Sequence, residues 1–534
     1  MITILDYGAG NVRSVINAVQ SLGKRVNIVK NPSDIVNAEK LIFPGVGHFG
    51  NMIRTINEKG YFEPLKSYLD ENRPFLGICL GFHALFETSE EFAAHKGLGI
   101  LPGHVKLFDI KLAVPHIGWN SVNIRKELPL FNNISKDSRF YFVHSFHVVP
   151  DNKSDILTTT PYEYEFVSGV NRGNVTGIQF HPEKSGKPGL QLLNNFVSGK
   201  DQKIKKNSGS NNPGSSLPAN IGLAKRIVAC LDVRTNNDGD LVVTKGDQYD
   251  VREKGDVRNL GKPVELARDY YEQGADEITF LNITGFRDFP LKDMPMIDVL
   301  KKTSKNVFVP LTIGGGIRDY TDNNNKTYKA IEVAEAYFRA GADKISIGSD
   351  AVYAAEKYLK TNEKTGESSI EEISSIFGSQ AVVISIDPVK VWVKSKDTPL
   401  PHTIIAPHEP GPSGEKYCWY QCTVKGGREH RNIDVVAFAK ACESLGAGEL
   451  LINSIDRDGT NSGFDLDLIN LIKNAVSIPV IASSGAGSEA HFYEVFTETE
   501  SEAALAAGIF HRKEIPISKV KTFLSDKQLK IRNN

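Results

Sequence analysis

The sequence has no apolar run that approaches the roughly 20 residues needed to cross a bilayer, so a membrane-spanning protein is not expected. It also lacks a charge excess, because 63 lysines and arginines balance 64 aspartates and glutamates to a net charge of -1. Attraction to nucleic acid or to an anionic membrane is therefore not expected. Residues 1–6 already have the pattern of a strand, which leaves no room for a signal or transit peptide and predicts a cytoplasmic location.

Cysteine is scarce, with five among the 534 residues. An odd number of widely spaced cysteines does not make the disulfide framework of a secreted domain and indicates reduced thiols. Cys418 and Cys422 are too isolated from other metal ligands to form a zinc site. They are interpreted as structural, and no metal site is predicted.

A chain of 534 residues with 40% apolar and 24% charged residues is long enough for at least two globular domains. Residues 200–220 separate them, because this segment is polar and then rich in Ser, Gly, Asn and Pro, without apolar periodicity. We predict an open α/β sheet over residues 1–199, a linker over 200–220 and a second α/β domain over 221–534.

The second domain has the pattern of eight strands alternating with helices, which predicts a (βα)8 barrel. Its halves resemble each other in sequence. Residues 309–316 are similar to residues 478–485, and residues 274–277 are similar to residues 446–449, at nearly the same separation along the chain. The predicted strands are 226–232, 277–283, 307–313, 344–349, 381–387, 449–455, 478–483 and 503–509.

Cys79 lies in the motif GICLG at 77–81, where an apolar strand runs into a helix-like stretch. Such a sharp turn lifts a nucleophile clear of the sheet. About a hundred residues later a strand ends in His181 and Glu183, which point to one face because they are two apart. A cysteine, a base and a carboxylate that orients the base make a nucleophilic triad. Alone, Cys79 would be a small buried apolar residue; the combination favours the catalytic interpretation.

Two predicted barrel strands end in aspartate, the first in Asp232 and the fifth in Asp387. Strand ends form the mouth of such a barrel, and these two strands lie on opposite sides of it. The two carboxylates could therefore serve one bound substrate as acid and base. Alternatively, each is a solvated residue at a strand end, as single aspartates commonly are. Equivalent positions in the two halves favour the catalytic interpretation.

Small residues follow the third, fourth, seventh and eighth strands, where free backbone N–H groups suit a phosphate. We call each phosphate-binding group of small residues a cradle. The first cradle consists of Gly315, Gly316 and Ser349, and the second of Ser483, Gly485 and Gly508. Two such cradles in related halves predict a long substrate with a phosphate at each end. Lys245, on a loop beyond the first strand, could reach over the mouth as a cation, or it is an ordinary surface lysine.

Charged residues stand at the opposite ends of four strands. They are Arg226, Glu277, Lys344 and Glu449. Two cations and two anions at matched positions could close the bottom of the barrel as a salt-bridged ring. Surface charges with snorkelling side chains would give the same pattern, and the sequence leaves both interpretations open.

The chain resembles the fused eukaryotic imidazole glycerol phosphate synthases of histidine biosynthesis over essentially its whole length. In the first half the resemblance rests on DYGAGN at 6–11, PGVG at 44–47, GICLG at 77–81, GWN at 118–120, YFVHS at 141–145 and QFHPEKSG at 179–186. In the second half it rests on RIVACLDVR at 226–234, IGGGI at 313–317, IDRDGT at 455–460 and ASSGAG at 482–487. The first set alone would fit many class I glutamine amidotransferases, and its fusion to this barrel narrows the match.

The resemblance implies that the first domain hydrolyses glutamine. Cys79 would attack the amide carbonyl, His181 would shuttle the proton and Glu183 would orient His181. The oxyanion would be held by the backbone N–H of Leu80 and by one near Val46.

For the barrel, the resemblance implies ammonia and N′-phosphoribulosyl-formimino-AICAR ribonucleotide as substrates, imidazole glycerol phosphate and AICAR as products, and no cofactor. Asp387 would be the acid in ammonia addition and cleavage, and Asp232 would act in ring closure. Further substrate contacts would fall on Gly45 of the first domain and on Asp458 and Gly459 of the barrel. One glutaminase fused to each barrel implies a monomer.

The resemblance also gives the charged ring a role. Arg226, Glu277, Lys344 and Glu449 would gate a passage for ammonia through the barrel. Neutral ammonia in a dry core stays nucleophilic and is not lost to solvent. Asp343 would lie at the contact between the two domains.

Four positions depart from the usual family pattern. His83, four residues after Cys79, stands where glutamine is usual. Many bacterial barrels have Asp at the position of Asn282 and Asn at that of Gly348, and Gly is often seen at Ser484. Two other functions stay open: a sister barrel isomerase that makes the substrate and needs no ammonia, and a non-catalytic sensor of glutamine or a phosphosugar. The intact glutaminase motifs argue against the first, and the retained reacting groups argue against the second.

Overall fold

The computed structural model describes residues 1–8, 10–199, 222–236, 241–244, 252–253, 256–257, 259–283, 291 and 294–533. The predicted linker over 200–220 and the predicted cation Lys245 lie outside the described residues. Among the helices of the described part, none combines the length and the hydrophobicity that a membrane crossing requires.

The N-terminal part of the chain forms a mixed α/β sheet, as predicted. Its strands, with one separate pair, are β1 (Ile2–Ile4), β2 (Val26–Ile28), β3 (Lys40–Gly45), β4 (Phe75–Cys79), β5 (Thr88–Ser89), β6 (Gly103–Leu107), β7 (His116–Ser121), β8 (Asn123–Ile124), β9 (Arg139–His144), β10 (Phe146–Pro150), β11 (Ile156–Tyr162), β12 (Tyr164–Arg172) and β13 (Val175–Ile178). The helices are α1 (Val12–Ser21), α2 (Pro32–Val36), α3 (Phe49–Glu58), α4 (Phe62–Asp70), α5 (Leu80–His83) and α6 (Gly186–Ser198).

The strand order is β2-β1-β3-β4-β13-β12-β10-β6-β5, with β11 and β8 attached through β12, while β7 pairs with β9. The strands from β2 to β13 in this order are parallel. β3 and β4 are apolar and buried, as expected for strands covered on both faces. In register, Gly45 at the end of β3 lies opposite Cys79 at the end of β4. His181 follows the neighbouring β13, so the carboxyl edge of the sheet gathers all three.

The C-terminal part contains the barrel strands and smaller sheets at its mouth. The strands are β14 (Arg226–Thr235), β15 (Leu241–Val243), β16 (Arg252–Glu253), β17 (Asp256–Val257), β18 (Glu277–Asn282), β19 (Leu311–Gly314), β20 (Tyr320–Thr321), β21 (Thr327–Tyr328), β22 (Lys344–Ile347), β23 (Val382–Ile386), β24 (Pro388–Val393), β25 (Tyr417–Val424), β26 (Glu429–Asp434), β27 (Glu449–Asn453), β28 (Val480–Ser483) and β29 (Ala503–Ala506). The helices are α7 (Pro263–Glu272), α8 (Pro295–Thr303), α9 (Ala330–Ala340), α10 (Ser349–Thr361), α11 (Ser369–Phe377), α12 (Val435–Leu445), α13 (Leu466–Lys473), α14 (Glu489–Glu498), α15 (Gly508–His511) and α16 (Ile517–Asp526).

Within the described residues, the parallel strands β14, β18, β19, β22, β23, β27, β28 and β29 form one sheet that closes by pairing β14 with β29. The predicted (βα)8 barrel is confirmed. The third and seventh strands begin at Leu311 and Val480, later than predicted, because Pro310 and Pro479 lack the N–H that a strand ladder uses. The first strand runs on to Thr235, past its predicted end, because β15 pairs with its last residues.

The end of the barrel where its strands begin contacts the carboxyl edge of the first sheet. Asn11 Nδ2 donates to the Gly341 carbonyl at 2.9 Å, just before β22. Asn17 Nδ2 donates to the Ser304 carbonyl at 3.0 Å, before β19. The surroundings of Cys79 thus face the bottom of the barrel, while the predicted aspartates and cradles lie at the far end.

Candidate active sites

Cys79 occupies a strained turn between β4 and α5. Its φ of +51° and ψ of -104° are unfavourable for a residue with a side chain, and strain of this kind costs about 1–3 kcal/mol. A Cβ at Gly81 would lie 1.9 Å from the Phe43 carbonyl oxygen, so only glycine fits beneath the turn. The backbone therefore makes the predicted sharp turn, which places the thiol at the carboxyl edge of the sheet.

His181 and Glu183 form a buried pair next to Cys79. His181 Nδ1 and Glu183 Oε1 are 2.8 Å apart, and both side chains are about 95% buried, with exposed fractions of 4% and 5%. Burial lowers the pKa of His181, but the Glu183 carboxylate and Cys79 outweigh that effect and raise it to about 10. Because Glu183 occupies Nδ1, Nε2 is the nitrogen available to the thiol. The structure brings the three predicted triad residues together.

A further side chain contacts the thiol. Gln179 Nε2 lies 3.5 Å from Cys79 Sγ, and Gln179 Oε1 lies 2.8 Å from His83 Nε2. All three side chains are buried. His83 was expected only as a departure from the family pattern, and Gln179 was not predicted as a site residue. The available signal was its position two residues before His181, which places both side chains on one face of an extended segment.

The predicted oxyanion donors lie where β3 and β4 end side by side. A Cβ at Gly45 would lie 2.6 Å from the Leu80 Cβ, so the two chains approach each other closely here. The next carbonyl, that of Val46, accepts a hydrogen bond from the Tyr7 hydroxyl at 2.7 Å. This contact fixes the backbone of Val46 beside the turn that carries Cys79.

Glu91 is a carboxyl group in the first part of the chain that was not predicted as a site residue. It accepts a hydrogen bond from the Phe49 N–H at 2.9 Å, and burial raises its pKa to about 7. Burial raises the pKa of Tyr7, and the charges of Cys79 and Glu91 add to that rise, so both groups lie within electrostatic range of Tyr7. A partly buried carboxylate in the surroundings of Tyr7 suits the ammonium group of an amino acid.

A cavity of about 20 Å³ lies between the triad and the barrel. Val46 and His181 line it from the first part of the chain, and Asp343, Lys344 and Phe377 line it from the second. A site of this size holds about one water-sized molecule. The cavity therefore touches both a triad residue and a member of the predicted ring.

The four predicted ring residues form a closed network of ion pairs. Arg226 Nη1 lies 3.0 Å from Glu277 Oε2, and Arg226 also pairs with Glu449. Lys344 Nζ lies 2.7 Å from Glu277 Oε1 and 2.6 Å from Glu449 Oε2. All four side chains have zero exposure, which excludes the alternative of snorkelling surface charges. Burial raises the pKa of Glu449, but the two cations outweigh it and hold that pKa below its ordinary value.

Asp343 lies at the contact between the two parts of the chain. Its Oδ2 is 2.6 Å from Lys184 Nζ, and its Oδ1 accepts a hydrogen bond from Asn11 Nδ2 at 2.8 Å. Lys184 follows Glu183 directly, and Asp343 precedes Lys344. One ion pair thus connects the triad segment to the ring.

A second cavity, of about 250 Å³, opens at the mouth of the barrel. Asp232 and Asp387 both line it. It is also lined by five of the predicted substrate contacts, Asp458, Gly459, Ser483, Gly485 and Gly508. The structure therefore brings the two aspartates and the second cradle to one space.

Asp387 is held by polar groups from two neighbouring elements. Asn453 Nδ2 donates to its Oδ1 at 2.9 Å, and the Thr423 hydroxyl of β25 donates to its carbonyl at 2.6 Å. Burial raises the pKa of Asp387, the hydrogen bond from Asn453 opposes that rise, and the charge of Asp458 adds to it. A carboxyl group with a raised pKa suits proton donation.

The first cradle is separate from this cavity. Gly315 has a φ of +89°, and a Cβ there would lie 2.2 Å from the Asn282 carbonyl oxygen, so glycine is required. Gly316 is also left-handed, with a φ of +79°. Ser349 Oγ accepts a hydrogen bond from the Lys425 N–H at 2.9 Å. None of the three predicted residues is among those that line the mouth cavity.

Two cavity residues after β29 were missed by the sequence analysis. His511 Nδ1 lies 2.7 Å from the Tyr270 hydroxyl, and its buried Nε2 has no hydrogen-bond partner among the described residues. Arg512 folds over Gly508, because a Cβ there would lie 2.6 Å from its Nη1. Both residues lie about one helical turn after Gly508, and this spacing was the sequence signal that could have placed them at the same site.

Comparisons with known proteins match both parts of the chain. A model of class I glutamine amidotransferases matches residues 3–199, and a model described as histidine biosynthesis protein matches residues 226–516. The imidazole glycerol phosphate synthase hisHF of Arabidopsis thaliana, described as chloroplastic, is 55% identical over 100% of this chain and 89% of its own length. The enzyme of the same name from Schizosaccharomyces pombe is 53% identical over 98% of both chains. The synthase subunit HisF of Methanosphaera stadtmanae is 42% identical over 58% of this chain and 99% of its own.

Proposed function

Because the chain belongs to the fused imidazole glycerol phosphate synthases, the bifunctional enzymes of histidine biosynthesis that join a glutamine amidotransferase to a cyclase, we propose that Cys79 releases ammonia from glutamine and that Asp232 and Asp387 use it. We assign the glutaminase to residues 1–199 and the cyclase to 221–534, joined by the linker over 200–220. The observation that carries the proposal is the cavity lined by both His181 of the triad and Lys344 of the ring, at the contact between the two parts of the chain.

In the glutaminase, the Cys79 thiolate adds to the side-chain carbonyl carbon of glutamine. His181, polarised by Glu183, gives its proton to the departing nitrogen, so that ammonia leaves and a thioester remains. Water activated by His181 then releases glutamate. The backbone N–H of Leu80 and one at Val46 hold the oxyanion, and such donors typically contribute about 3 kcal/mol each. Glu91 receives the ammonium group of the substrate.

Ammonia then passes through the ring into the barrel. The interior above the ring is largely apolar, which favours neutral and nucleophilic ammonia. Its apolar cluster consists of Val228, Cys230, Val383, Leu451, Ile481, Ala503 and Leu505. The buried Thr279 and Ser346, which follow Glu277 and Lys344 by two residues, are polar. The charges of the ring sum to zero, so a change at one partner unbalances the others.

At the mouth, N′-phosphoribulosyl-formimino-AICAR ribonucleotide lies between the two aspartates with a phosphate in each cradle. Asp387, whose raised pKa favours the acid form, protonates the substrate during ammonia addition and cleavage. Asp232 acts in ring closure. His511 and Arg512 add donors to the second cradle.

A nitrogen-source experiment tests the proposal. Cys79→Ala should abolish synthesis of imidazole glycerol phosphate from glutamine and keep synthesis from ammonium salts at raised pH. Cys442→Ala, which removes another buried thiol, should keep both. Retention of glutamine-dependent synthesis by Cys79→Ala would refute the assignment of the nucleophile.

We further propose that the enzyme acts as a monomer, because each chain supplies both halves of the reaction. Its predicted cytoplasmic location stays a prediction.

A further inference from the structure

His83, Gln179 and Cys79 form a chain of hydrogen bonds that the proposed chemistry does not use. His83 ends α5, one turn after Cys79, and Gln179 follows the neighbouring strand β13. The distances are 2.8 Å from His83 Nε2 to Gln179 Oε1 and 3.5 Å from Gln179 Nε2 to Cys79 Sγ. The His83 side chain is 3% exposed and that of Gln179 is fully buried, so water does not compete for these groups.

The donor and acceptor roles within this series of hydrogen bonds determine one another. A thiolate accepts hydrogen bonds only, so the NH₂ group of Gln179 must face Cys79 when the thiol is ionised. The amide oxygen then faces His83, whose Nε2 must carry the hydrogen. Burial lowers the pKa of His83 to about 4, so the ring is neutral and carries a single N–H. The other nitrogen, Nδ1, is buried without a hydrogen-bond partner among the described residues.

We propose that His83 is a positioning residue for the glutaminase: its Nε2–H holds the Gln179 amide so that the amide N–H faces Cys79 and stabilises the thiolate. This inference rests on the proposed role of Cys79 as nucleophile. Without the imidazole donor, the amide is free to turn its oxygen toward the sulfur. An oxygen beside a thiolate repels it, whereas an amide N–H stabilises it.

Other titratable groups also face these residues, and the substitutions at His83 and Gln179 leave them in place. Cys79 is influenced by His181, with Glu183, from the segment after β13, and by Tyr7 from the segment after β1. His83 is influenced by His144 and His147 from the neighbouring strands. A shift in the pH at which the Cys79 thiol ionises, seen after a substitution at His83, therefore reports on the hydrogen bonds that join His83, Gln179 and Cys79.

The experiment measures the pH dependence of Cys79 alkylation by iodoacetamide in the full chain, with the modified peptide quantified by mass spectrometry. His83→Phe keeps a flat ring but removes the donor. We expect its alkylation midpoint to rise by about one pH unit, because hydrogen bonding to the charged form governs ionisation. His83→Gln, whose amide supplies an N–H donor, should restore the original midpoint. Gln179→Leu should shift the midpoint as His83→Phe does, and the double variant should shift it no further.

Two controls separate the possible failures. His147→Phe removes another buried histidine, one that contacts Tyr164 and not Gln179, and should leave the midpoint unchanged. Ammonia-fed synthesis should persist in every variant. An unchanged midpoint in His83→Phe, or an additive shift in the double variant, overturns the role of His83 while Cys79→Ala remains inactive with glutamine. If Cys79→Ala keeps glutamine hydrolysis, the proposed nucleophile is wrong instead.

Discussion

At Asp387 the requirements of folding and of chemistry oppose each other. Burial raises the pKa of this carboxyl group in the folded state, with a further contribution from Asp458. Between the unfolded value of about 3.9 and the raised folded value, the folded chain binds a proton that the unfolded chain does not. Its contribution to stability is therefore favourable below that window and is lost as the pH rises through it. As the pH rises through that window, ionisation of this buried carboxyl group opposes the folding of the barrel.

Asp387→Asn should therefore separate stability from activity. The variant should lose synthesis from both glutamine and ammonium, because the proton donor is gone, and should keep the glutaminase. Its free energy of unfolding should exceed that of the unmodified chain at about pH 7.5 and approach it below about pH 4. Urea titrations at both pH values, with product assays at the higher one, check the prediction. A variant less stable at neutral pH would contradict the assigned environment.

The strand-to-helix turn shows how an element holds a reactive residue. Gly81 lies against the Phe43 carbonyl oxygen, with room for no additional carbon atom. Gly81→Ala should lower the free energy of unfolding by about 3 kcal/mol or more, since overpacking a buried site forces the backbone to move. Gly348→Ala is the matched control, because a Cβ there meets nothing within 4 Å. Equal unfolding midpoints in urea for the two variants would show that the turn tolerates a side chain.

Buried histidines on β7, β9 and β10 make this half of the chain sensitive to acid. Burial lowers the pKa of His116 to about 3 and that of His147 to about 4, and it lowers the pKa of His144 well below its ordinary value. Below about pH 6.5 the unfolded chain binds protons that the folded chain excludes, so stability is complete above that pH and falls as the pH drops toward 4. Each of His116 and His147 then costs on the order of 3 kcal/mol, against a usual domain stability of about 5–15 kcal/mol.

We therefore expect the first half to unfold between about pH 6 and pH 4, before the barrel. Trp119, on β7, reports on this half and on its contact with the Asp276 carbonyl of the barrel half once Trp392 and Trp419 are replaced by Phe. Its fluorescence in urea at several pH values measures the slope of the free energy of unfolding against pH. His147→Phe should make the slope shallower, because the partly exposed Tyr164 hydroxyl can bond to water instead. His402→Phe, in the barrel half, should leave the slope of the free energy of unfolding against pH unchanged. A slope that His147→Phe does not alter would contradict the assignment.

Elements with a strong periodic pattern were predictable, and side-chain partners distant in sequence were not. The eight barrel strands were visible as apolar runs, although Pro310 and Pro479 delay two of them. The ring remained ambiguous, because the same four charges suit a surface or a core until the barrel closes over them. Gln179 and His83 lie 96 residues apart, so their contact has no local signature. Only their shared edge of the sheet brings them together.

Across the two halves of the chain, the proposed transfer of ammonia depends on their contact. The ion pair between Lys184 and Asp343 links the triad segment to the residue before Lys344, which itself bridges both ring carboxylates. In the proposed passage, ammonia moves from the cavity beside His181 and Lys344 into the barrel interior, which contains a cluster of buried apolar side chains. Under this proposal, the balance between the two activities is a property of the interface and not of either active site.

Lys344→Ala tests this view of the whole molecule. Removing the lysine leaves Arg226 alone with two carboxylates and enlarges the cavity beside His181. Glutamate formation and ammonia-fed synthesis should both persist, because neither triad nor aspartates change, but more glutamate than imidazole glycerol phosphate should form from glutamine. Lys302→Ala, which removes an exposed lysine paired with Asp298, should keep the two products equimolar. Equimolar products in Lys344→Ala would mean that the buried ring does not govern the passage of ammonia.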